Sequence, residues 1–168
     1  MAIITISRGS FAGGQAVAER LCARLGYPSL SREQVLLEAA SDYGVSAADL
    51  TISLNQSPPF WQQVPGKRLA YVKCVTAVLL GHARSGNLIY HGYVGHLLLS
   101  DLPQVLRVRV IADMEFRIKA AMERADLKRD QAVARIEKMD RERSRWARFL
   151  YAVEWDDPHQ YDLVLNGV

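Results

Sequence analysis

This chain is short of cysteine, of metal-ligand spacing, of long apolar runs and of net charge. Its two cysteines, Cys22 and Cys74, fall in apolar helical patterns, so they read as small buried hydrophobes in a reducing compartment, not as a disulfide framework. His82, His91, His96 and His159 share no ligand spacing with cysteines or carboxylates, and no structural metal is assigned. No catalytic-triad spacing is present. No apolar run approaches the ~20 residues of a membrane helix. No basic n-region opens the chain, so no signal peptide is expected and a cytoplasmic location is. The formal net charge is +3. That is too small to argue for nucleic acid by itself, though it suits an anionic ligand. Repeats and low-complexity segments are absent. At 168 residues the expectation is one domain, 1–168, large enough to bury a core.

The most informative absence is a lysine. Ala2 to Ser7 is an apolar, β-branched run and reads as a buried strand. Arg8 to Gln15 is a glycine-rich turn. Val17, Leu21 and Leu25 then recur at helical spacing. Strand, glycine loop and helix form the setting of a P-loop, whose backbone N–H groups and helix N-terminus converge on an anion. Gly9 and Gly14 have the G-x-x-x-x-G spacing, but Gln15 stands at the lysine position and Ala16 at the Mg²⁺-binding Ser/Thr position. Shifting the register by one residue restores no lysine. A tight turn needing glycine only for its backbone angles is the competing reading.

The remaining pattern alternates strands and helices. Gly26 closes the first helix, and Tyr27 to Leu30 is a short extended piece. Ser31 and Gln34 form a capping box for a helix over Arg32 to Ala40. Gly44 to Pro65 reads as a loop or a substrate flap, with a short helix near Ser46 to Leu50 and the turn Ser57-Pro58-Pro59-Phe60-Trp61. A helix is predicted from Lys67 to Arg84, a strand from Asn87 to Tyr90, a helical turn from Val94 to Leu99 and a strand from Val105 to Ile111. Asp113 caps a helix to Arg124, Asp130 caps another to about Val153, and Tyr161 to Leu165 is the last strand. Such an order predicts a parallel sheet covered on both faces, with ligands at the carboxyl ends of the strands. His91 falls at such an end, where it would touch a ligand or make a local backbone bond.

Residues 129–148 are rich in arginine but laced with acids, the pattern of a solvated helix face. Arg143 breaks it by falling inside the apolar stripe of Ile136, Met139, Trp146, Leu150 and Val153. An arginine there needs an acidic partner or an anion. Asp140, three residues back, is placed to orient it. A nucleic-acid role for this helix is disfavoured by the interspersed acids and the lack of interleaved aromatics.

Several short stretches resemble one family. They are Ile4 to Arg8, Gly13-Gly14, Ala18 to Leu21, Leu25 to Pro28, Val105 to Val108, Arg117-Ile118 with Met122 to Arg124, Asp140-x-x-Arg143, Trp155-x-Asp157-Pro158, and Tyr161 to Asn166. Together they resemble the cytidylate kinase-like proteins, of the P-loop nucleoside monophosphate kinase superfamily, over nearly the whole chain. The resemblance implies a three-layer α/β fold with a five-stranded parallel sheet of order 2-3-1-4-5. It implies transfer of the ATP γ-phosphoryl to a nucleoside monophosphate, CMP-like, with Mg²⁺. By carry-over, Arg8, Gly9, Ser10, Phe11, Ala12, Gly13, Gly14 and Gln15 hold the ATP phosphates. Arg32, Gly92, Tyr93, Asp140 and Arg143 meet the acceptor. Arg143, Arg117 and Arg124 serve the transferring phosphoryl.

This chain also departs from the family. Relatives commonly carry Gly-Gly-Arg where Gln15 stands, and Gly-Arg where Gly92-Tyr93 stands. Each lost cation removes ~2–4 kcal/mol of transition-state stabilisation, roughly 30- to 1000-fold in rate. Arg8, reaching in from the loop, is the candidate replacement. Relatives also continue into a further helix beyond the fifth strand, so the domain is expected to stop short of one. Two functions follow: a nucleoside monophosphate kinase, or a nucleotide-binding regulatory homologue without transfer, as a homodimer.

Overall fold

The computed structural model describes residues 2–55 and 65–167. Strand β1 (Ile3–Arg8) passes through a five-residue turn into helix α1 (Gly14–Leu25). Then come β2 (Ser29–Ser31), α2 (Arg32–Tyr43), α3 (Ala47–Asn55), α4 (Pro65–Arg84) and β3 (Leu88–Gly92). After them follow α5 (Gly95–Leu98), β4 (Val105–Ile111), α6 (Met114–Ala125), α7 (Arg129–Tyr151) and β5 (Leu163–Asn166). The strands form one sheet of order β2-β3-β1-β4-β5, and every neighbouring pair is parallel. This is the predicted topology.

Each strand in the middle of the sheet is covered twice, as continuous apolar runs require. Ile4, Ile6, Ile89, Val108 and Val110 point to one face and pack on Ala18, with Val17, Leu21 and Cys22 of α1 against them. Ile3, Leu88, Tyr90 and Val105 point to the other face. There they meet Val35 and Ala39 of α2, Val72, Val75 and Leu79 of α4, and Trp146 of α7. A separate small core, Ile118 and Ala121 against Ala132 and Ile136, zips α6 to α7. Both cysteines are partly buried in these packings. Among the described residues, no helix is long and apolar enough to cross a membrane.

Several predicted boundaries move, among them α2, which runs on to Tyr43, and α4, which starts at Pro65. Helix α1 starts at Gly14, because Gly13 adopts φ +82° and turns the chain at once. Strand β3 runs on through His91 and Gly92, since Ile6 and Ser7 of β1 pair with them. His91 is therefore an interior strand residue. Helix α7 is capped at Lys128, not Asp130: the Gln131 side chain accepts from the Lys128 N–H at 3.0 Å. Asp130 instead places its charge in the first turn, where the helix dipole favours it. Strand β5 begins at Leu163, and Tyr161 turns inward, its hydroxyl donating to the Trp155 carbonyl at 2.6 Å. The Ser57 to Trp61 turn lies outside the described residues.

Candidate functional site

The glycine loop is bent by two residues in the left-handed region, Phe11 (φ 61°) and Gly13 (φ 82°). Its first half is tied inward. The Gly9 N–H donates to the Val110 carbonyl at 3.2 Å, and the Ala12 N–H to the Gly9 carbonyl at 3.1 Å. Its second half is open. Gly13 caps α1 with no side chain over the helix end, so the first-turn N–H groups face outward without an intrahelical acceptor. Gly14 is required by close approach: a Cβ there would sit 2.4 Å from the Cβ of Arg8. At the end of β3, Gly92 is under the same constraint. Its Cβ would lie 2.7 Å from the Cβ of Arg32 and 2.9 Å from the Tyr90 hydroxyl.

Helices α6 and α7 close over the loop from one side. Arg117 Nε donates to the Ser10 carbonyl at 2.8 Å, and its NH2 to Asp140 Oδ2 at 2.5 Å. The Ser10 hydroxyl donates to Asp140 Oδ1 at 3.0 Å. Arg143 NH1 donates to the Arg8 carbonyl at 3.0 Å. The Arg143 guanidinium lies 5.5 Å from the Tyr93 ring centre and 5.9 Å from that of Trp155. The Tyr93 hydroxyl closes the link by donating to the Arg143 carbonyl. Thus Arg143 is satisfied by a backbone carbonyl and two aromatic faces. Asp140, placed by sequence beside Arg143, gives its carboxylate to Arg117 and Ser10.

Burial sets the charge states. Desolvation lowers Arg143 to about 10, with Asp140 pulling the other way, so it remains cationic near neutrality. Burial pushes the Tyr93 hydroxyl up and Tyr90 up to about 12, which keeps both as donors. Burial and the nearby Arg8 charge lower His91, whose Nδ1 is buried without a partner among the described residues.

Around the open half of the loop lies a cleft of about 650 Å³. Arg8 through Gln15, Arg32, Gly92, Tyr93, Arg124 and Arg143 all line it, as do Glu33, Arg135, Lys138, Met139 and Glu142. Six of these side chains are cationic and two are carboxylates. The balance suits a polyanion. Arg8 lines the cleft while donating to Glu33 at 3.3 Å and Gln15 at 3.4 Å. Arg117 and Asp140 do not line it. They face an adjoining cleft of about 430 Å³ with Arg109, Arg141, Ser144 and Trp155.

Sequence reading missed Arg135 and Lys138, grouping them with the solvated face of α7. Their signal was angular. Arg135, Met139 and Arg143 repeat at four residues, and Lys138 with Glu142 flanks that row, so one edge of the stripe is charged. The implied Mg²⁺ finds no protein donor set. Ala16 offers no hydroxyl, Ser10 is engaged by Asp140, and no group of three His, Cys, Asp or Glu among the described residues could hold a metal ion.

A five-stranded parallel sheet of this order, with a glycine loop after its first strand and helices on both faces, defines a P-loop kinase-type fold. Solved structures agree. An uncharacterized protein from Eubacterium ventriosum aligns with a TM-score of 0.76 and 21% identity, over 99% of this chain and 88% of that one. Shikimate kinase from Bacteroides thetaiotaomicron aligns at 0.58 and 9% identity, over 99% and 86%. Dephospho-CoA kinase from Campylobacter jejuni aligns at 0.50 and 10% identity, over 98% and 87%. No curated protein sequence matches significantly. The model of the cytidylate kinase-like family matches residues 3–167, and the chain belongs to that family.

Proposed function

We propose that the main cleft moves the γ-phosphoryl of ATP to the phosphate of a nucleoside monophosphate, with a CMP-like acceptor as the family suggests. One observation carries this reading: the open N–H groups of the glycine loop and six cationic side chains line a single cleft of about 650 Å³. Residues 8–15 hold the triphosphate of ATP. Arg32, Gly92 and Tyr93 receive the acceptor. Arg143 and Arg124 neutralise the moving phosphoryl, where charge spreads over three oxygens. Arg117 and Asp140 are positioning residues that hold Ser10 and the loop. The bond from Pγ to the ADP oxygen breaks as an acceptor phosphate oxygen bonds to Pγ. An acceptor entering as the dianion needs no proton transfer. Any Mg²⁺ arrives as part of the ATP complex.

³¹P NMR of the protein with ATP, Mg²⁺ and each nucleoside monophosphate tests this. The expected result is a nucleoside diphosphate from one acceptor. ADP and free phosphate regardless of acceptor would reduce the site to an ATPase. Gln15 and Ala16 favour a second reading, a nucleotide-binding regulator that transfers nothing. It predicts ATP resonances shifted by the protein without turnover.

A further inference from the structure

The glycine loop of this chain has no cation of its own from Gly9 to Gln15. The preceding residue, Arg8, is held by Glu33 and Gln15. A triphosphate on the loop's open N–H groups would therefore meet little positive charge from below. Across the cleft, the situation is reversed. Lys138 and Arg135 of α7 line the same cleft and are exposed. Among the described residues, neither has a hydrogen bond or an ion pair. The contrast within the helix is direct. On the opposite flank, Arg141 closes an i,i+4 bridge to Glu137 at 3.3 Å. Lys138 and Glu142 share the same spacing and form none. Their order, cation before acid, is the weaker one on a helix. Two cations of α7 thus line the cleft with no protein anion holding them among the described residues, and the exposed Arg124 of α6 joins them there.

We propose that Lys138, with Arg135 beside it, supplies from α7 the positive charge that a P-loop lysine would supply from within the loop. This inference rests on the reading of the cleft as a nucleotide site. The charge is delivered from above the phosphates, by an element held to the loop through Ser10, Asp140 and Arg117. ATP affinity then depends on Lys138, 123 residues after Gln15 in the sequence. It also falls with added salt, since both cations are exposed.

The test is calorimetric titration of ATP into the full chain and three variants. Lys138→Ala is expected to weaken ATP roughly ten- to a hundredfold, the range for a charge-assisted contact. Its urea midpoint should stay at the wild-type value, because Lys138 has no partner to lose. Gln15→Lys in the Lys138→Ala background should restore most of the affinity, since it returns a cation to the same phosphates. Gln15→Lys alone should strengthen the wild type less. Wild-type affinity in Lys138→Ala, or a loss that Gln15→Lys leaves unrepaired, overturns the inference. The kinase reading fails separately. A wild type that binds ATP through Lys138 without making a diphosphate overturns that reading alone. A wild type that makes the diphosphate with Lys138→Ala unaffected overturns this inference alone. A wild type that binds no ATP overturns both.

Discussion

Helix α7 faces two clefts with opposite flanks, and the flanks are built differently. Asp140 and the nearby Arg143 are tied to the loop, to α6, to the end of β1 and to the residue after β3 through Ser10, Arg117, the Arg8 carbonyl and Tyr93. Arg135 and Lys138, on the outer edge, are tied to nothing among the described residues. In the proposed kinase, a fixed flank would hold geometry and a free one would leave charge available for a ligand. Positively charged side chains already bonded to protein carboxylates must surrender those bonds to reach a phosphate. Unbonded ones need not.

The sharpest way to break this comparison is Arg143→Ala, because Arg143 belongs to both flanks. It is tied to the Arg8 carbonyl yet lines the main cleft. The rate of diphosphate formation should fall on the order of a hundredfold or more. An unchanged rate would make it a tie and nothing else. Asp140→Ala tests the fixed flank alone. It strands the partly buried Arg117 and the Ser10 hydroxyl, and should cost about 2 kcal/mol of stability by urea unfolding. Lys138→Ala should move the same midpoint by less than about 0.5 kcal/mol. Equal shifts would erase the distinction.

Below the fixed flank, His96 supplies a pH test. It is 3% exposed, lies against Tyr161 with the rings tilted at 43° and their centres 4.5 Å apart, and neither ring nitrogen has a partner among the described residues. Burial first, then Arg107 and Arg109, lowers it from 6.5 to about 3. A base depressed on folding takes its proton only in the unfolded chain across that window. Stability should therefore fall as pH drops from 6.5 toward 3, by up to ~1.4 kcal/mol per pH unit. Urea midpoints of His96→Leu should lose that part of the slope. An identical slope in both proteins would mean that the ring is protonated where it lies. The smallest effect belongs to Arg141→Gln, whose exposed pair with Glu137 is worth about 0.3 kcal/mol. A larger change in midpoint would move Arg141 to the fixed group.

Much of this was legible in one dimension. Apolar runs placed four of the five strands, the extended piece after Gly26 placed β2, and the helical spacing of Val17, Leu21 and Leu25 placed α1. The sheet order came from the family resemblance. Arg143 announced itself as a charge inside an apolar stripe. What one dimension hides is pairing at a distance. Asp140 steadies Arg143 by its charge, as their spacing on one helix suggests, but its carboxylate is hydrogen-bonded by Ser10, 130 residues earlier, and by Arg117. The end of β3 was cut early because His91 and Gly92 look unlike a strand. Pairing with β1 and β2 extends it. The cap of α7 was misplaced because Asp126 takes a left-handed turn, φ 49°, which brings Lys128 to the helix start. Arg135 and Lys138 went unnoticed for a related reason. A charge facing solvent and a charge facing an open cleft have the same local sequence.

Trp155 lines the adjoining cleft. Arg109 lies 4.6 Å from its ring centre and Arg143 5.9 Å, while Trp146 packs on Tyr93 and Tyr151. An anion that draws Arg143 toward itself alters the electric field across one indole and leaves the aromatic contacts of the other in place. The chain thereby carries its own optical reporter, and occupancy of the main cleft becomes readable as a change in intrinsic emission, with no label attached.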